Sequence, residues 1–330
     1  MTLRISARAL RAAYRLVTCL RPRGSARYPG QPQAVLFDGQ PGAAPAAAGQ
    51  PIPPRLWTYW DTETADPLVD QCIANWRIHC PDFEVQVVNR RNIGDFVAAG
   101  DLPPGFAQLH PTKQSDWVRL YLVRHHGGYW LDATILLTQP LRWMDALRQS
   151  RGAEFVGFYL GGYTHDERFP VIESWAFGAP AHAPFVTAWQ QEFHHALVTA
   201  GTDAYLAQLR GQDDAAALLQ GIADPAYLLI HVAAQQVLRR GNAFRLALFK
   251  AEDTAFFYQQ ALRWKWYLLY PRLCLVQAEP APAPLIKLRG GERRHFSELF
   301  AQHGGPAAGS IWQQACGSAA PVHAGNGSAA

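Results

Sequence analysis

The chain of 330 residues is 49% hydrophobic and 17% charged, which is enough to bury one substantial core. Its net charge of +4 is unevenly distributed, because residues 1–30 contain seven arginines and no acidic residue. The rest of the chain carries 23 basic against 26 acidic side chains, a net charge of −3. This balance argues against nucleic acid as a partner of the folded body.

The first 28 residues are predicted to form a basic amphipathic segment. Arg4, Arg8, Arg11 and Arg15 recur at helical spacing, with apolar residues between them. One interpretation is a helix that lies on an anionic membrane surface through residues 1–27, and the other is a disordered basic extension. The arginines leave no continuous apolar region for a secretory signal, and no apolar run is long enough to predict a transmembrane helix.

Composition divides the rest of the chain into three parts. Residues 29–53 are rich in Pro, Gly, Ala and Gln, and they predict a linker. Residues 54–300 predict the folded domain. Residues 301–330 end in a stretch of Gly, Ala and Ser, and they predict a disordered tail.

The cysteines indicate a reducing compartment. The five of them, at positions 19, 72, 80, 274 and 316, are widely spaced and include no CxxC pair. Neither a disulfide framework nor a structural zinc site is expected. We therefore expect a cytoplasmic protein, which becomes peripheral on the inner face of the plasma membrane if the basic segment binds lipid.

Helical and strand patterns alternate along the folded part. In chain order the predicted elements are a strand at Leu56–Trp60, a helix at Leu68–His79, a strand at Phe83–Val88, a short helix at Ile93–Ala99, a helix at Thr112–His125, a strand leading into Asp132, and a strand at Phe155–Phe158. This alternation predicts an α/β fold with a mostly parallel sheet and flanking helices. Ligands of such sheets bind beyond the carboxyl ends of the strands, where Trp60 and Asp132 would lie.

The predicted helix at Thr112–His125 leads directly into a strand that ends in a carboxylate. Asp116 and Arg119 are three residues apart, so they share one face of the helix. Gly127-Gly128 ends the helix and permits a sharp turn, and the apolar run that follows predicts a buried strand on either side of Asp132. Taken alone, Asp116 and Arg119 could be a surface ion pair, and Asp132 could cap a turn.

Three segments in order carry a resemblance to a known family. They are Ile52-Pro-Pro-Arg-Leu-Trp-Thr-Tyr-Trp60, Ser115-Asp116-x-x-Arg119 and Gly127-Gly128-Tyr-Trp-Leu-Asp132-Ala-Thr134. Together they resemble the glycosyltransferases with a sugar-binding DxD region, most closely the bacterial capsular polysaccharide synthesis branch, over roughly residues 52–295.

The resemblance implies a glycosyltransferase A-type, Rossmann-like nucleotide-sugar-binding fold and an enzyme that moves a sugar between substrates. The donor would be a nucleotide-sugar, a UDP-hexose in this family. The acceptor would be a glycan or a lipid-linked saccharide in capsular, extracellular polysaccharide or lipopolysaccharide synthesis. The transfer would retain the anomeric configuration.

The resemblance also assigns roles to three catalytic residues. Asp116 would bind ribose or sugar hydroxyls, Arg119 would bind sugar hydroxyls or phosphate, and Asp132 matches the first position of DxD. The second position is Thr134, so the metal site for Mn²⁺ or Mg²⁺ would consist of Asp132 and Thr134. A neutral hydroxyl is a poor ligand for a hard dication, so Thr134 argues against strong metal dependence.

Further residues are predicted to bind the donor. Beside Asp116, Arg119 and Asp132, they are Trp57, Tyr59, Trp60, Gly128, Ser174, Trp175, His231 and Lys287. Strand alternation sends Trp57 and Tyr59 to one face and Trp60 to the other, so the three cannot all serve one pocket, and packing in the core is the alternative role for the aromatic residues. If Thr134 weakens metal binding, Lys287 is the candidate cation for the leaving diphosphate, against the alternative of a solvated lysine.

Two other classes of protein remain open at this point. One is a nucleotide-sugar-binding protein without catalysis, which the departure at Thr134 favours. The other is a membrane-surface scaffold in which the arginine-rich helix is the functional part. A scaffold would not require Asp116, Arg119 and Asp132 together.

Overall fold

The computed structural model of the protein describes residues 6–20, 26–30, 32–38, 49–61, 66–241 and 244–317. Predictions that involve Arg4, residues 39–48 of the linker and residues 318–330 of the tail lie outside the described residues. The strands are β1 (Ala34–Asp38), β2 (Arg55–Tyr59), β3 (Glu84–Val88), β4 (Gly128–Leu131), β5 (Ile135–Leu137), β6 (Phe155–Tyr159), β7 (Ile172–Ala179), β8 (Arg245–Lys250) and β9 (Leu285–Lys287).

Helices alternate with these strands. They are α1 (Ala7–Cys19), α2 (Pro67–His79), α3 (Pro111–His126), α4 (Arg142–Ser150), α5 (Pro184–His194), α6 (Thr202–Arg210), α7 (Ala215–Leu219), α8 (Leu229–Arg239), α9 (Phe257–Ala261), α10 (Trp266–Cys274), α11 (Gly290–His303) and α12 (Ile311–Cys316). The predicted short helix at 93–99 is a single 3₁₀ turn, Ile93–Asp95.

A seven-stranded sheet in the order β1-β8-β6-β7-β4-β2-β3 forms the centre of the described structure. The pairings β2 with β3, β2 with β4 and β6 with β8 are parallel, whereas β7 is antiparallel to both β4 and β6, and β1 is antiparallel to β8. Five of the seven strands therefore run in one direction. The predicted α/β class with a mostly parallel sheet is confirmed.

Two core layers cover the two faces of the sheet. The alternation within β4 shows this, because Trp130 packs with the layer that contains α3, α5 and α8, whereas Tyr129 and Leu131 pack with the layer that contains α2 and α4. Trp57 and Tyr59 lie in the first layer and Trp60 packs against the second, as the alternation of the first strand predicted.

The turn between α3 and β4 requires both of its glycines. Gly127 ends α3 with φ 65°, and Gly128 follows with φ 106°. A Cβ atom on Gly128 would lie 2.7 Å from the carbonyl oxygen of Arg55, so a side chain there would separate β4 from β2. The helix therefore ends where the sequence predicted.

The strand that enters Asp132 is interrupted rather than continuous. β4 ends at Leu131, and β5 begins at Ile135 in a second, two-stranded sheet in which it pairs antiparallel with β9. The three residues between them, 132–134, therefore cross from one sheet to the other. This break brings the carboxylate of Asp132 next to the C-terminal strand β9.

Two elements lie in regions for which the composition predicted no structure. β1 lies within the predicted linker at 29–53, where it pairs with β8 from Ala34 to Asp38. α12 lies within the predicted tail at 301–330, where Ile311 and Trp312 are buried against α2 and α10. In both cases long-range packing outweighs a local composition that is poor in regular structure.

The N-terminal helix α1 uses its apolar side within the fold. Leu10 and Tyr14 are 4% and 8% exposed, and the helix packs on α10. Ser6 caps its first turn, accepting a hydrogen bond from the Ala9 N–H at 3.2 Å. Arg8 and Arg15 remain exposed on the outer side. None of the described helices is long and apolar enough to cross a membrane.

A buried carboxyl group makes stability depend on pH. Glu154 is fully buried; its Oε1 accepts a hydrogen bond from Phe185 N at 2.7 Å, and its Oε2 has no hydrogen-bond partner. Burial raises the pKa of Glu154 to about 7 from its usual 4.5. Its contribution to stability is complete below pH 4.5 and is lost as the pH rises through 7, by about 3 kcal/mol in total.

We therefore expect Glu154→Gln to raise the free energy of unfolding at pH 8 and to flatten its decline between pH 5 and pH 8. Urea denaturation at several pH values measures both effects. Glu298→Gln, at an exposed glutamate of α11, is the matched control and should follow the wild type. A steep decline that persists in Glu154→Gln would contradict the assignment.

Candidate active site

A cavity of about 1510 Å³ opens beyond the carboxyl ends of the parallel strands β2, β4, β6 and β8. The antiparallel strand β7 contributes its first residues to the same wall, and α3 and α11 contribute residues of their first two to three turns. Ten residues that the sequence predicted for the site line this cavity: Tyr59, Trp60, Asp116, Arg119, Asp132, Thr134, Ser174, Trp175, His231 and Lys287.

Trp57 and Gly128, predicted as donor-binding residues, do not line the cavity. Trp57 is 1% exposed, and its Nε1 donates to the carbonyl oxygen of Gly127 at 2.9 Å, so its ring fixes the turn after α3. Gly128 lies against the backbone of β2, as its close approach to Arg55 shows. Both residues therefore stabilise the scaffold that carries Asp132.

Arg119 joins the two predicted aspartates. Its Nη2 lies 3.3 Å from Asp116 Oδ1 and 3.2 Å from Asp132 Oδ1, and its side chain is only 6% exposed. Its Nη1 donates to Ser174 Oγ at 2.5 Å, and its Nη2 donates to Ser115 Oγ at 3.1 Å. One guanidinium group on α3 therefore holds together side chains from α3, β7 and the end of β4.

Asp132 lies between two cations. Its Oδ1 forms an ion pair with Arg119 and accepts a hydrogen bond from Trp130 Nε1 at 3.0 Å. Its Oδ2 lies 2.8 Å from Lys287 Nζ. Burial opposes ionisation of this carboxyl group, but Lys287 and Arg119 outweigh burial and hold the pKa of Asp132 below its usual value. Asp132 is therefore a carboxylate at neutral pH.

Asp116 is in a different electrostatic environment. It is 3% exposed, and burial raises the pKa of its carboxyl group although Arg119 and Lys113 act in the opposite direction. Two carboxyl groups that contact one guanidinium thus have pKa values shifted in opposite directions. Such a separation is typical of functional sites.

Lys287 and Thr134 form the other end of this network. Lys287 Nζ donates to Thr134 Oγ1 at 2.8 Å as well as to Asp132, and Thr134 Oγ1 donates its own hydrogen to the carbonyl oxygen of Leu288 at 2.8 Å. Lys287 is 9% exposed, so the alternative of a solvated lysine at a strand end is wrong.

His231 pairs with a residue to which the sequence analysis gave no role. Its Nε2 lies 3.0 Å from Glu173 Oε2, and both side chains are under 10% exposed. Its Nδ1 is buried without a hydrogen-bond partner. Glu173 precedes Ser174 in β7. It meets His231 only because α8 packs beside β7, a contact that the sequence does not reveal.

Sequence reasoning also missed an aromatic wall of the cavity. Trp264 and the preceding Arg263 have φ values of 59° and 53°, in the left-handed region that such residues rarely adopt. The Trp264 ring lies 5.4 Å from the ring of Phe256, whose ring lies 5.5 Å from that of Trp175. All three rings line the cavity.

Two arginines at the start of α11, the N-cap Arg289 and Arg293 in the first turn, complete the rim. Arg289 lies 4.5 Å over the Trp264 ring, and Arg293 lies 5.0 Å over the Trp60 ring. Arg293 also pairs with Asp66 at 2.5 Å. The run Lys287-Leu-Arg-Gly-Gly, with two cations and two glycines at a strand-to-helix junction, was the signal in the sequence.

The donor atoms around Asp132 do not fit a divalent cation in this arrangement. Both carboxylate oxygens of Asp132 contact positively charged nitrogens, and the Thr134 hydroxyl is engaged as donor and as acceptor. Across the part of the chain that the structure describes, no group of three or more His, Cys, Asp or Glu side chains is arranged to hold a metal ion. The expected Mn²⁺ or Mg²⁺ stays a prediction from the family resemblance.

Comparison with known proteins agrees with the resemblance over part of the chain. Residues 46–196, a little under half of the chain, match the family model of the capsular polysaccharide synthesis protein. A strict DxD pair is absent, because Thr134 stands at its second position. The matched region includes Asp116, Arg119 and Asp132 but ends before His231 and Lys287.

Similarity to other proteins is more distant. Among solved structures, the chain is similar to one titled "PaToxG Glycosyltransferase", with 12% identity, coverage of 71% of this chain and 88% of that chain, and a TM-score of 0.29. A likeness at that score carries no argument here. No curated protein matches the chain.

The pairing at Asp132 predicts a loss of stability on neutralisation. We expect Asp132→Asn to lower the free energy of unfolding by about 2 kcal/mol, because Arg119 and Lys287 would remain buried without their shared carboxylate. Asp82→Asn is the control, since Asp82 and Arg142 form an exposed pair, which contributes about 0.5 kcal/mol or less. Urea denaturation compares the two variants. Equal losses would show that the Asp132 cluster contributes no more than a surface ion pair.

Proposed function

We propose that the protein is a glycosyltransferase that moves a sugar from a nucleotide-sugar donor to a saccharide acceptor in the synthesis of a capsular or other surface polysaccharide. One observation carries the proposal: Asp116, Arg119 and Asp132 form one buried network at the carboxyl ends of parallel strands, facing a large cavity. The family match over residues 46–196 includes all three residues and supports the same reading.

The charges of the network suit the chemistry of such a donor. The bond from the anomeric carbon to the diphosphate breaks, so negative charge develops on the leaving diphosphate and must be neutralised. Arg119 and Lys287 are cationic side chains beside Asp132 that can meet this charge. Asp116 and Asp132 accept hydrogen bonds from ribose or sugar hydroxyls, which positions the anomeric carbon.

The size of the cavity supports two substrates rather than one. At about 1510 Å³ it exceeds the ~300–1,000 Å³ that commonly holds one small ligand. The donor would lie against Asp116 and Asp132, and the acceptor against the aromatic wall of Trp175, Phe256 and Trp264, because aromatic faces pack well on the apolar faces of sugars.

We propose retention of the anomeric configuration and a UDP-hexose donor on the basis of the family resemblance. In the retaining reaction the bond from the anomeric carbon to the acceptor oxygen forms on the face from which the diphosphate departs. The acceptor proton passes to an oxygen of the released diphosphate. No separate carboxylate base is then needed. The anomeric configuration of the product, read by NMR, tests retention.

Hydrolysis or transfer from a panel of UDP-, GDP- and CMP-sugars tests the proposed activity. We expect one UDP-sugar to be consumed by the wild type, and we expect Asp116→Asn and Asp132→Ala to lower the rate at least about 100-fold, since each removes a donor-positioning group. Asp82→Asn, at an exposed residue that does not line the cavity, should retain the wild-type rate.

The panel also separates the alternative functions. A nucleotide that raises the melting temperature while every donor stays intact, even with a crude lipid-linked acceptor fraction present, would favour a non-catalytic binding protein. No thermal shift with any nucleotide would favour the membrane-surface scaffold.

We also propose that α1 places the enzyme on an anionic membrane surface, where a lipid-linked acceptor would be found. Because Leu10 and Tyr14 are used in the core, the membrane-facing side would be the outer one, with Arg8, Arg15 and the exposed Leu16. Arginines beside an exposed leucine suit the boundary between lipid head groups and acyl chains. Leu16 is 62% exposed, and Leu20 just beyond the helix is 73% exposed.

Co-sedimentation with lipid vesicles tests this orientation. We expect binding to vesicles that contain phosphatidylglycerol and not to pure phosphatidylcholine. The double variant Leu16→Glu and Leu20→Glu should lower the bound fraction several-fold, since each change removes an apolar contact and adds a like charge to the lipid surface. Val35→Glu, at an exposed valine of β1, should bind as the wild type does. Equal binding by all three proteins would contradict the proposal.

A further inference from the structure

Lys287 contacts both residues that the family resemblance assigns to the metal. Its ammonium group lies 2.8 Å from Asp132 Oδ2 and 2.8 Å from Thr134 Oγ1. A divalent cation bound at either oxygen, at about 2.1 Å, would lie no more than about 5 Å from this ammonium group. The two cations would repel each other at a site that is largely shielded from water.

The position of Lys287 is fixed by the backbone around it. Its N–H donates to the carbonyl oxygen of Ala255 at 3.1 Å, and its own carbonyl oxygen accepts from Gln259 Nε2 at 2.6 Å. It is paired with Ile135 in the register of β9 and β5. The backbone of Lys287 is therefore held on three sides, and its side chain, which is 11% exposed, extends from this fixed point to Asp132 and Thr134.

Thr134 is set as an acceptor for Lys287. Its hydroxyl hydrogen is used in the bond to the carbonyl oxygen of Leu288, so its lone pairs face the ammonium group. This arrangement explains a neutral residue at the second position of the DxD-like motif. A second carboxylate there would suit a dication, whereas a hydroxyl group positions an ammonium group without adding negative charge.

An ammonium group has three N–H donors, and two of them are accounted for by Asp132 and Thr134. Lys287 lines the cavity beside Arg119, so its third donor is available to a ligand on the cavity side. A diphosphate ester carries about two negative charges, and Lys287 with Arg119 supplies two positive ones.

We infer that Lys287 takes the place of a divalent cation in this enzyme and binds the donor diphosphate directly, with Asp132 and Thr134 acting as its positioning residues rather than as metal ligands. This inference rests on the proposed function. It makes donor binding independent of added metal, and it assigns the second position of the motif to the orientation of a lysine.

Binding of UDP and of uridine in EDTA and in Mg²⁺ or Mn²⁺, measured by calorimetry on the full chain, tests the inference without turnover. We expect the wild type to bind UDP equally in EDTA and in metal. Lys287→Met should weaken UDP binding about 10- to 100-fold, the value of a hydrogen bond to a charged group, and leave uridine binding unchanged. Lys265→Met, at an exposed lysine outside the cavity lining, is the matched control and should bind UDP as the wild type does.

A second variant tests the inference through metal binding, a measurement other than the UDP affinity of Lys287→Met. The double variant Thr134→Asp with Lys287→Met lowers the net charge of the cluster by two relative to the wild type. It provides two carboxylates and removes the ammonium group. We expect it to bind one Mn²⁺ per chain, detected by calorimetry and electron paramagnetic resonance, and to bind UDP only in the presence of that metal. The wild type should have no Mn²⁺ site at Asp132, so its Mn²⁺ binding should equal that of Asp132→Ala.

The outcomes separate this inference from the proposed function. UDP binding that is lost in EDTA, or a UDP affinity of a folded Lys287→Met that equals that of Lys265→Met, would overturn the inference and leave the glycosyltransferase intact. No binding of UDP, GDP or CDP by the wild type in any buffer would overturn the proposed function and the inference together.

Discussion

The candidate site depends on one carboxylate that lies between two cations. Asp132 contacts Arg119 from α3 through one oxygen and Lys287 from β9 through the other. Removing either cation would leave a partly buried charge unbalanced, so the three side chains are positioned as a unit. The break between β4 and β5 is what brings them together, because it places Asp132 where the chain leaves one sheet for the other. The rest of the cavity is organised around this contact.

The local sequence pattern was sufficient to predict the helix that carries Arg119 and the strand that leads into Asp132. The spacing of Asp116 and Arg119 predicted a shared helix face, and both side chains do contact each other. Gly127-Gly128 predicted the end of that helix, and strand alternation separated Trp57 and Tyr59 from Trp60. Each of these inferences uses only neighbours within a few positions along the chain, which is the range over which propensity and periodicity act.

Contacts between distant parts of the chain were beyond the same reasoning. Lys287 was predicted as a candidate cation, but nothing in its local sequence indicated that it would contact Asp132 and Thr134, some 150 residues earlier. The pair Glu173 and His231 likewise depends on how α8 packs beside β7, and the wall around Trp264 depends on ring contacts with Phe256, which in turn contacts Trp175. Composition also failed at β1 and α12, because burial against distant elements decides their structure. Trp57 shows the opposite error. It was predicted to bind the donor, but it is buried and holds the turn after α3.

The pairing of β5 with β9 has a consequence for biosynthesis. The sheet partner of the segment after Asp132 is β9, which follows β8 in the described structure. A nascent protein that has emerged only as far as β8 therefore has Asp116, Arg119 and Asp132 but neither Lys287 nor the strand that positions it. Until β9 is translated, Asp132 has only Arg119 beside it, and Lys287, the second cation of the pair that contacts this carboxylate, is missing. A truncated translation product would therefore have no complete site. In this fold the charge cluster is completed only when β9 has been added to β5.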